Sequence, residues 1–485
     1  MNAEDRQALQ QAGLLEQSGR LSEAEDRYRE LAVRRPEFAT ARFNYACFLR
    51  RQGRPEEALA EHRAALELKI DRPEEVLSNM GVILNELRRD ADARAHFERA
   101  LAANADYIPA LYNLALLFEE FGERDQALGM FRRILDLDPH YYDALVRIVH
   151  AVRIEDPQSP LIGRLRRALR RAHLPALTRE SLHFALGKAY DDAGRHDLAF
   201  EQYRLGNLGS APRLQPYDRR AEEAQVAGIL AAFTPAWLAG AEPVSDRPLV
   251  FITGQFRSGS TLIEQMLAGH PGIAAGGEIA YFDRALARTA QPLADAVRSM
   301  GRDGLRALGT GYVQYLDRNF PGAAIVTNKR PDTFAWLGLL KGLFPNARFV
   351  HTVREPRDTG LSIWFQQLDG RVAYANDLAN IAHHWTLCRR LMGHWQGLFG
   401  EAIFDADYDA FVAEPRPVAQ ALLDFLGLDW REECLDFSLR PNRVRTASVW
   451  QVREPLYGRS SGRWRRYQPW LPAEFLALPA RGMRA

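Results

Sequence analysis

The sequence is poor in cysteine, in net charge and in long apolar runs. Three cysteines, Cys47, Cys388 and Cys434, are too few and too widely spaced for a disulfide framework or a zinc pattern. Lys and Arg total 63 against 62 Asp and Glu, a formal net charge of +1. No bulk field therefore draws the chain onto nucleic acid or a membrane surface. No uninterrupted apolar run approaches the roughly 20 residues needed to span a bilayer. The opening stretch, MNAEDRQALQQAG, has no apolar segment of the kind a secretory signal requires. The expectation is a cytoplasmic protein with no membrane span and no metal-ligand cluster. A content of 47% apolar and 26% charged residues is that of a globular chain, and 485 residues suffice for two or more domains, each with its own core.

What is present in the first 140 residues is a period. Ala24, Ala58, Ala93 and Ala127 are separated by 34, 35 and 34 positions, and Tyr28, His62, Phe97 and Phe131 follow each of them by four. Residues i and i+4 share a helix face, so a small residue allows close helix approach and the ring fills the space beside it. Gly19, Gly53 and Gly122 mark the turns, with Arg88 in the third glycine slot. A unit of about 34 residues with this pattern resembles the tetratricopeptide repeat, a helix-turn-helix element. A further unit falls at 181–207, with Gly194, Ala199 and Tyr203, and a degenerate one at 138–177, interrupted near 156–160. Such arrays present a concave face suited to a peptide or protein partner. The division expected is a repeat domain over 1–207, a helical linker over 208–247 and a second domain over 248–485.

The second half is organised around residues 248–278, PLVFITGQFRSGSTLIEQMLAGHPGIAAGGE. An apolar, β-branched run over 249–253 predicts a strand buried on both faces. Gly254 to Thr261 then forms a glycine-bounded loop, and helical spacing begins at Leu262. A loop entering a helix N-terminus offers unpaired N–H groups and a positive dipole end, an anion site. The loop resembles a Walker A sequence, but Ser260 stands where the lysine should be. That lysine would reach the β- and γ-phosphates of a nucleoside triphosphate. Its absence favours a different phosphate-bearing ligand, with Arg257 as the loop's remaining cation.

Later strands end on charged residues in the same way. Residues 324–331 read as a strand closing on Lys329. Residues 348–362 read as a strand, a basic turn with Arg354, and a helix with Ser362. Residues 402–411 read as another strand running into a polar turn. Strands alternating with helices imply a parallel, doubly wound sheet, which binds ligands beyond the C-terminal strand ends. Arg257, Glu278, Lys329 and Arg354 all lie just after a proposed strand or its adjoining loop, so one crevice could collect them. Seven arginines lie between 443 and 467. Without a nucleic-acid-binding motif or a basic domain background they predict an anion-lined rim, not an RNA or DNA surface.

Together these pieces resemble the sulfotransferases that use 3′-phosphoadenosine 5′-phosphosulfate (PAPS), in the branch that includes tyrosylprotein sulfotransferases. The resemblance covers roughly 248–467. It implies that Gln255, Arg257, Ser258, Gly259, Ser260, Thr261 and Leu262 hold the 5′-phosphosulfate, and that Arg354 and Ser362, eight residues apart, hold the 3′-phosphate. It assigns Glu278, in Gly276-Gly-Glu, as the base, with Lys329 in Asn328-Lys-Arg-Pro331 and Ser448 stabilising the transferring group. Arg463, beside Trp464, falls where that branch has a different cation and is a further cofactor contact. The fold implied is an all-α repeat superhelix followed by a P-loop-like α/β domain with a parallel sheet flanked by helices. The activity implied is sulfuryl transfer from PAPS to an acceptor hydroxyl, on a protein, sugar, lipid or small phenol, leaving 3′-phosphoadenosine 5′-phosphate (PAP), with no metal. Two other readings compete: a repeat scaffold whose second domain binds nucleotide without catalysis, and an ATP-dependent kinase.

Overall fold

The computed structural model describes residues 3–287, 289, 291–368, 370, 372–437, 443–444, 449–454, 456 and 458–480. They fall into two compact units, Met1–Ile148 and Val149–Ala485. The first is built of helical hairpins: α1 (Ala3–Gln17) with α2 (Leu21–Arg34), α3 (Ala39–Arg51) with α4 (Pro55–Glu67), α5 (Pro73–Glu86) with α6 (Asp90–Ala103), and α7 (Ile108–Phe121) with α8 (Arg124–Leu137). The periodic alanines are fully buried, and the rings four residues on are at most 5% exposed. Gly81 shows how tightly the helices pack: a Cβ there would lie 2.5 Å from the Phe97 ring. Gly19, Gly53 and Gly122 turn between helices with φ near +75°, and Arg88 adopts the same left-handed conformation in its slot, φ 61°.

The chain continues through α9 (Tyr142–Ala151) and the short α10 (Pro160–Leu169), which interrupt the repeat where the sequence predicts a degenerate unit. A further hairpin follows, α11 (Ala176–Asp192) and α12 (His196–Ser210), then α13 (Arg219–Ala232) and α14 (Pro235–Ala239). Gly187 in α11 repeats the close approach, with Tyr203 2.8 Å from where its Cβ would be.

Among the described residues, five strands make one parallel sheet. They are β1 (Val250–Gly254), β2 (Ile273–Ala275), β3 (Ile325–Lys329), β4 (Arg348–Val353) and β5 (Ile403–Asp407), in the order β2-β3-β1-β4-β5. Helices α15 (Ser260–Leu267), α16 (Tyr281–Ala287), α17 (Leu293–Asn319), α18 (Leu337–Leu343), α19 (Pro356–Trp364), α20 (Leu378–Phe399), α21 (Tyr408–Ala413) and α22 (Pro415–Leu426) connect them. Every residue of β1 and β3 is buried, as central strands of a parallel sheet require. The core is aromatic: Phe251 packs between Tyr312 and Phe349 at 6.1 and 5.9 Å, and the buried Trp395 indole donates to the Phe334 carbonyl at 2.8 Å. Among the described residues, no helix is long and apolar enough to cross a membrane.

Candidate active site

The glycine-bounded loop is strained where it meets its neighbours. Gly254 sits at φ 146°, and a Cβ there would lie 2.5 Å from Thr352 Oγ1. Gly259 sits at φ 105° against Tyr408, where a Cβ would meet the ring at 2.5 Å. Arg257 adopts φ 67°, a left-handed conformation disfavoured for a residue with a side chain. Strain of this kind persists where surrounding structure over-determines it, most often at ligand clamps. Ser258 provides part of that constraint: its hydroxyl donates to the Gln255 carbonyl at 2.7 Å and lies 2.6 Å from Thr352 Oγ1.

A pocket of about 80 Å³ opens at the N-terminus of α15. Arg257, Gly259, Ser260, Thr261, Leu262, Arg354, Ser362 and Arg463 all line it. Parts separated by up to two hundred residues are thus brought together. Arg257 Nε donates to Ser362 Oγ at 3.1 Å, and its terminal nitrogen donates to Gln451 Oε1 at 2.6 Å. Arg354 donates to the carbonyls of Arg257 (3.1 Å) and Ser460 (2.6 Å) and stacks 4.6 Å over the Tyr408 ring. Its Nε is buried and has no partner among the described residues, a donor left for a ligand. Gln255 and Ser258 are not on this wall. Their side chains line a neighbouring cleft of about 680 Å³, which Arg354 also borders.

Lys329 ends β3 with its side chain only 2% exposed, and Nζ donates to Glu278 Oε1 at 2.5 Å. Glu278 is 43% exposed, so the pair spans the boundary between core and solvent. The loop carrying Glu278 is anchored from behind. Glu264 of α15, fully buried, accepts from the Gly277 N–H at 3.0 Å and the Thr327 hydroxyl at 2.8 Å. Burial raises the Glu264 pKa, against the opposing pull of Lys329 and these two donors. One helix therefore supports both the anion loop at its start and the Glu278 loop at its middle. Ser448 lies outside the described residues.

The residues that sequence reasoning missed are mostly carboxylates holding these groups in place. Asp358 of α19 accepts from the backbone N–H groups of Gly462 (2.6 Å) and Trp464 (2.7 Å), pinning the chain on both sides of Arg463. It lies one helical turn before Ser362 on the same face of α19, a signal available in the sequence. Asp409 accepts from the Ser461 hydroxyl, and from the Glu355 N–H at 3.1 Å. Arg463 itself contacts Asp191 at 2.5 Å, which no local pattern signals.

Residues 248–432 match the family model described as sulfotransferase family, and residues 9–73 and 109–141 match tetratricopeptide repeat models. An uncharacterised protein of Aquifex aeolicus (strain VF5) is 27% identical over 427 residues, covering 84% of this chain and 54% of that protein. Protein-tyrosine sulfotransferase 2 of Gallus gallus is 26% identical over 204 residues, 39% of this chain and 54% of the relative. This chain thus spans about half the length of these two relatives. A solved sulfotransferase domain from the Synechococcus PCC 7002 olefin synthase is 24% identical, covering 49% of this chain and 92% of that domain, with a TM-score of 0.36.

Proposed function

Because this chain joins tetratricopeptide repeats to a sulfotransferase-family domain, we propose that it transfers a sulfuryl group from PAPS to an acceptor hydroxyl, with a protein or peptide as the acceptor. The observation that carries this reading is one cluster at the C-terminal ends of β1, β3 and β4. It has Arg257, Arg354 and Ser362 around the α15 N-terminus, and the pair of buried Lys329 and half-exposed Glu278 at the end of the adjoining β3.

PAPS needs anion donors in two places. In this reading the amides and hydroxyls of Ser260 and Thr261, with Arg257, serve the 5′-phosphosulfate. Arg354, with its unpartnered Nε, and Ser362 serve the 3′-phosphate. Gly259 and Leu262 complete the loop wall, and Arg463 adds a third cation. Gln255 and Ser258 contribute by holding the loop from beneath. The bond from sulfur to the bridging oxygen breaks, and a bond from sulfur to the acceptor oxygen forms. Glu278 takes the acceptor proton, and PAP leaves. Lys329 places a fixed charge beside the oxygens that gain negative charge. Ser448 is proposed to hydrogen-bond the same group. The repeat array would hold a peptide or protein partner on its concave face. The relatives named protein-tyrosine sulfotransferases make tyrosine the first acceptor to try.

The test is thermal stabilisation of the full chain by PAP, ADP or ATP, followed by transfer from labelled PAPS to tyrosine peptides. Ligand at 100 times its dissociation constant adds about 2.7 kcal/mol. PAP alone should shift unfolding. A shift with ATP and none with PAP points to a kinase, and PAP binding without transfer to any hydroxyl points to a scaffold.

A further inference from the structure

We infer that the helical hairpin α11–α12 belongs to the nucleotide site, and that Asp191, at the end of α11, is the positioning residue that holds Arg463 on the wall of the anion pocket. This rests on the reading of that pocket as the PAPS site. The hairpin has the form of one more repeat, yet its charged turn faces Arg463 and Tyr467 of the second unit's C-terminal segment.

The local chemistry of Asp191 is wrong for its place. Carboxylates are disfavoured in the last turn of a helix, where the dipole end is negative. Its neighbour Asp192 pairs with Lys188 one turn back on the same helix at 2.6 Å and accepts from the Ile154 N–H at 3.0 Å. Asp191 reaches instead across 272 residues to Arg463 at 2.5 Å, accepts from the Tyr467 hydroxyl, and lies 3.5 Å from His196. Burial alone would raise its pKa; Arg463, His196 and Tyr467 override that and hold the carboxyl well below its ordinary range. A residue that conflicts with its own helix but satisfies a distant cation marks a functional constraint.

Arg463 is fixed at both ends. Asp358 clamps the backbone on either side of it. Asp191 holds the guanidinium, which also lies 4.7 Å over the Phe365 ring. Phe365 in turn stacks at 4.0 Å on Tyr203 of the hairpin, and Asn207 donates to the Trp364 carbonyl at 2.8 Å. The same hairpin thus supports the end of α19, two and three residues beyond Ser362. A guanidinium held this way meets an anion without having to be ordered on binding.

The experiment is a double-mutant cycle on the full chain, with PAP affinity as the readout. Asp191→Asn should weaken PAP binding about tenfold, and Arg463→Ala at least as much. The double variant should bind no worse than Arg463→Ala alone, because Asp191 acts through Arg463. Tyr467→Phe removes one donor from Asp191 and should lower affinity about twofold, providing a gentler variant if Asp191→Asn does not fold. PAP affinity unchanged in Asp191→Asn or Arg463→Ala, or losses that multiply in the double variant, overturns this inference alone. Failure of the unaltered chain to bind PAP overturns the reading of the pocket and takes this inference with it.

Discussion

The two units place their charges in different ways. In Met1–Ile148 many ion pairs join residues three or four apart on one helix face, such as Arg20–Glu23, Arg54–Glu57 and Arg94–Glu98. Their side chains remain 33–58% exposed. In Val149–Ala485 the pairs at the site join distant residues, Lys329–Glu278 and Arg463–Asp191, 51 and 272 positions apart. Exposed pairs follow from helix spacing and contribute little to stability. Burying Lys329 incurs a desolvation penalty that no helix or strand requires. On the function proposed above, the contrast separates charge that keeps a surface solvated from charge that does chemistry.

The strongest way to break that contrast is at Lys329. Lys329→Met should lower kcat by about 10²–10³-fold, the loss typical of removing one transition-state donor, with PAP affinity changed only a few-fold. Lys329→Arg should not restore it, because a planar guanidinium cannot take the place of a compact, buried ammonium. A kcat within tenfold of the unaltered chain would make the pair an ordinary structural one.

The first unit also buries a histidine ring, and this tests the comparison from the other side. His62 is fully buried, both ring nitrogens lack partners among the described residues, and burial, with Arg50 adding to it, pushes its pKa down to about 4. The unfolded chain protonates this ring near 6.5 and the folded chain near 4, so between those values the unfolded state binds more protons. Stability is therefore complete above about pH 6.5 and is lost as pH falls toward 4, by up to about 3 kcal/mol. Urea unfolding followed by circular dichroism should show this acid sensitivity. His62→Phe, which installs the ring found at Phe97 and Phe131, should flatten it. An unchanged pH slope would mean that His62 has a partner in solution. The smallest effect expected is at Arg20, where Arg20→Gln should leave the melting temperature unchanged within error. A clear loss would show that the surface pairs of this unit do more than their exposure implies.

How much was legible in advance follows the same division. The repeat was readable because small residues and rings recur every 34 or 35 positions, and the ring contacts lie within a hairpin or between neighbouring ones. The strands that end on Gly254 and Lys329 and the one just before Arg354 were readable as apolar runs ending on turn or charged residues. Strand β2, only three residues long, carries too little pattern to be seen, although it leads into the Glu278 loop. The pocket residues Arg257, Arg354 and Ser362 were legible from spacing and family resemblance. What anchors the Glu278 loop was not: Glu264 looks like a helix-surface glutamate until β3 places Thr327 against it. Asp191 gives no signal at all, because its partner lies on a segment that only the folded chain brings near.

That last contact bears on how such a chain can be cut and rejoined. Repeat arrays are the interchangeable parts of proteins, and the seam between an array and an enzyme is where domains are usually exchanged. Here the final hairpin has been annexed: it keeps the outline of a repeat, but Asp191, Tyr203 and Asn207 serve the second unit. A graft made after Ser210 would part these three residues from their partners in the second unit, whereas one made ahead of α9 would keep them together.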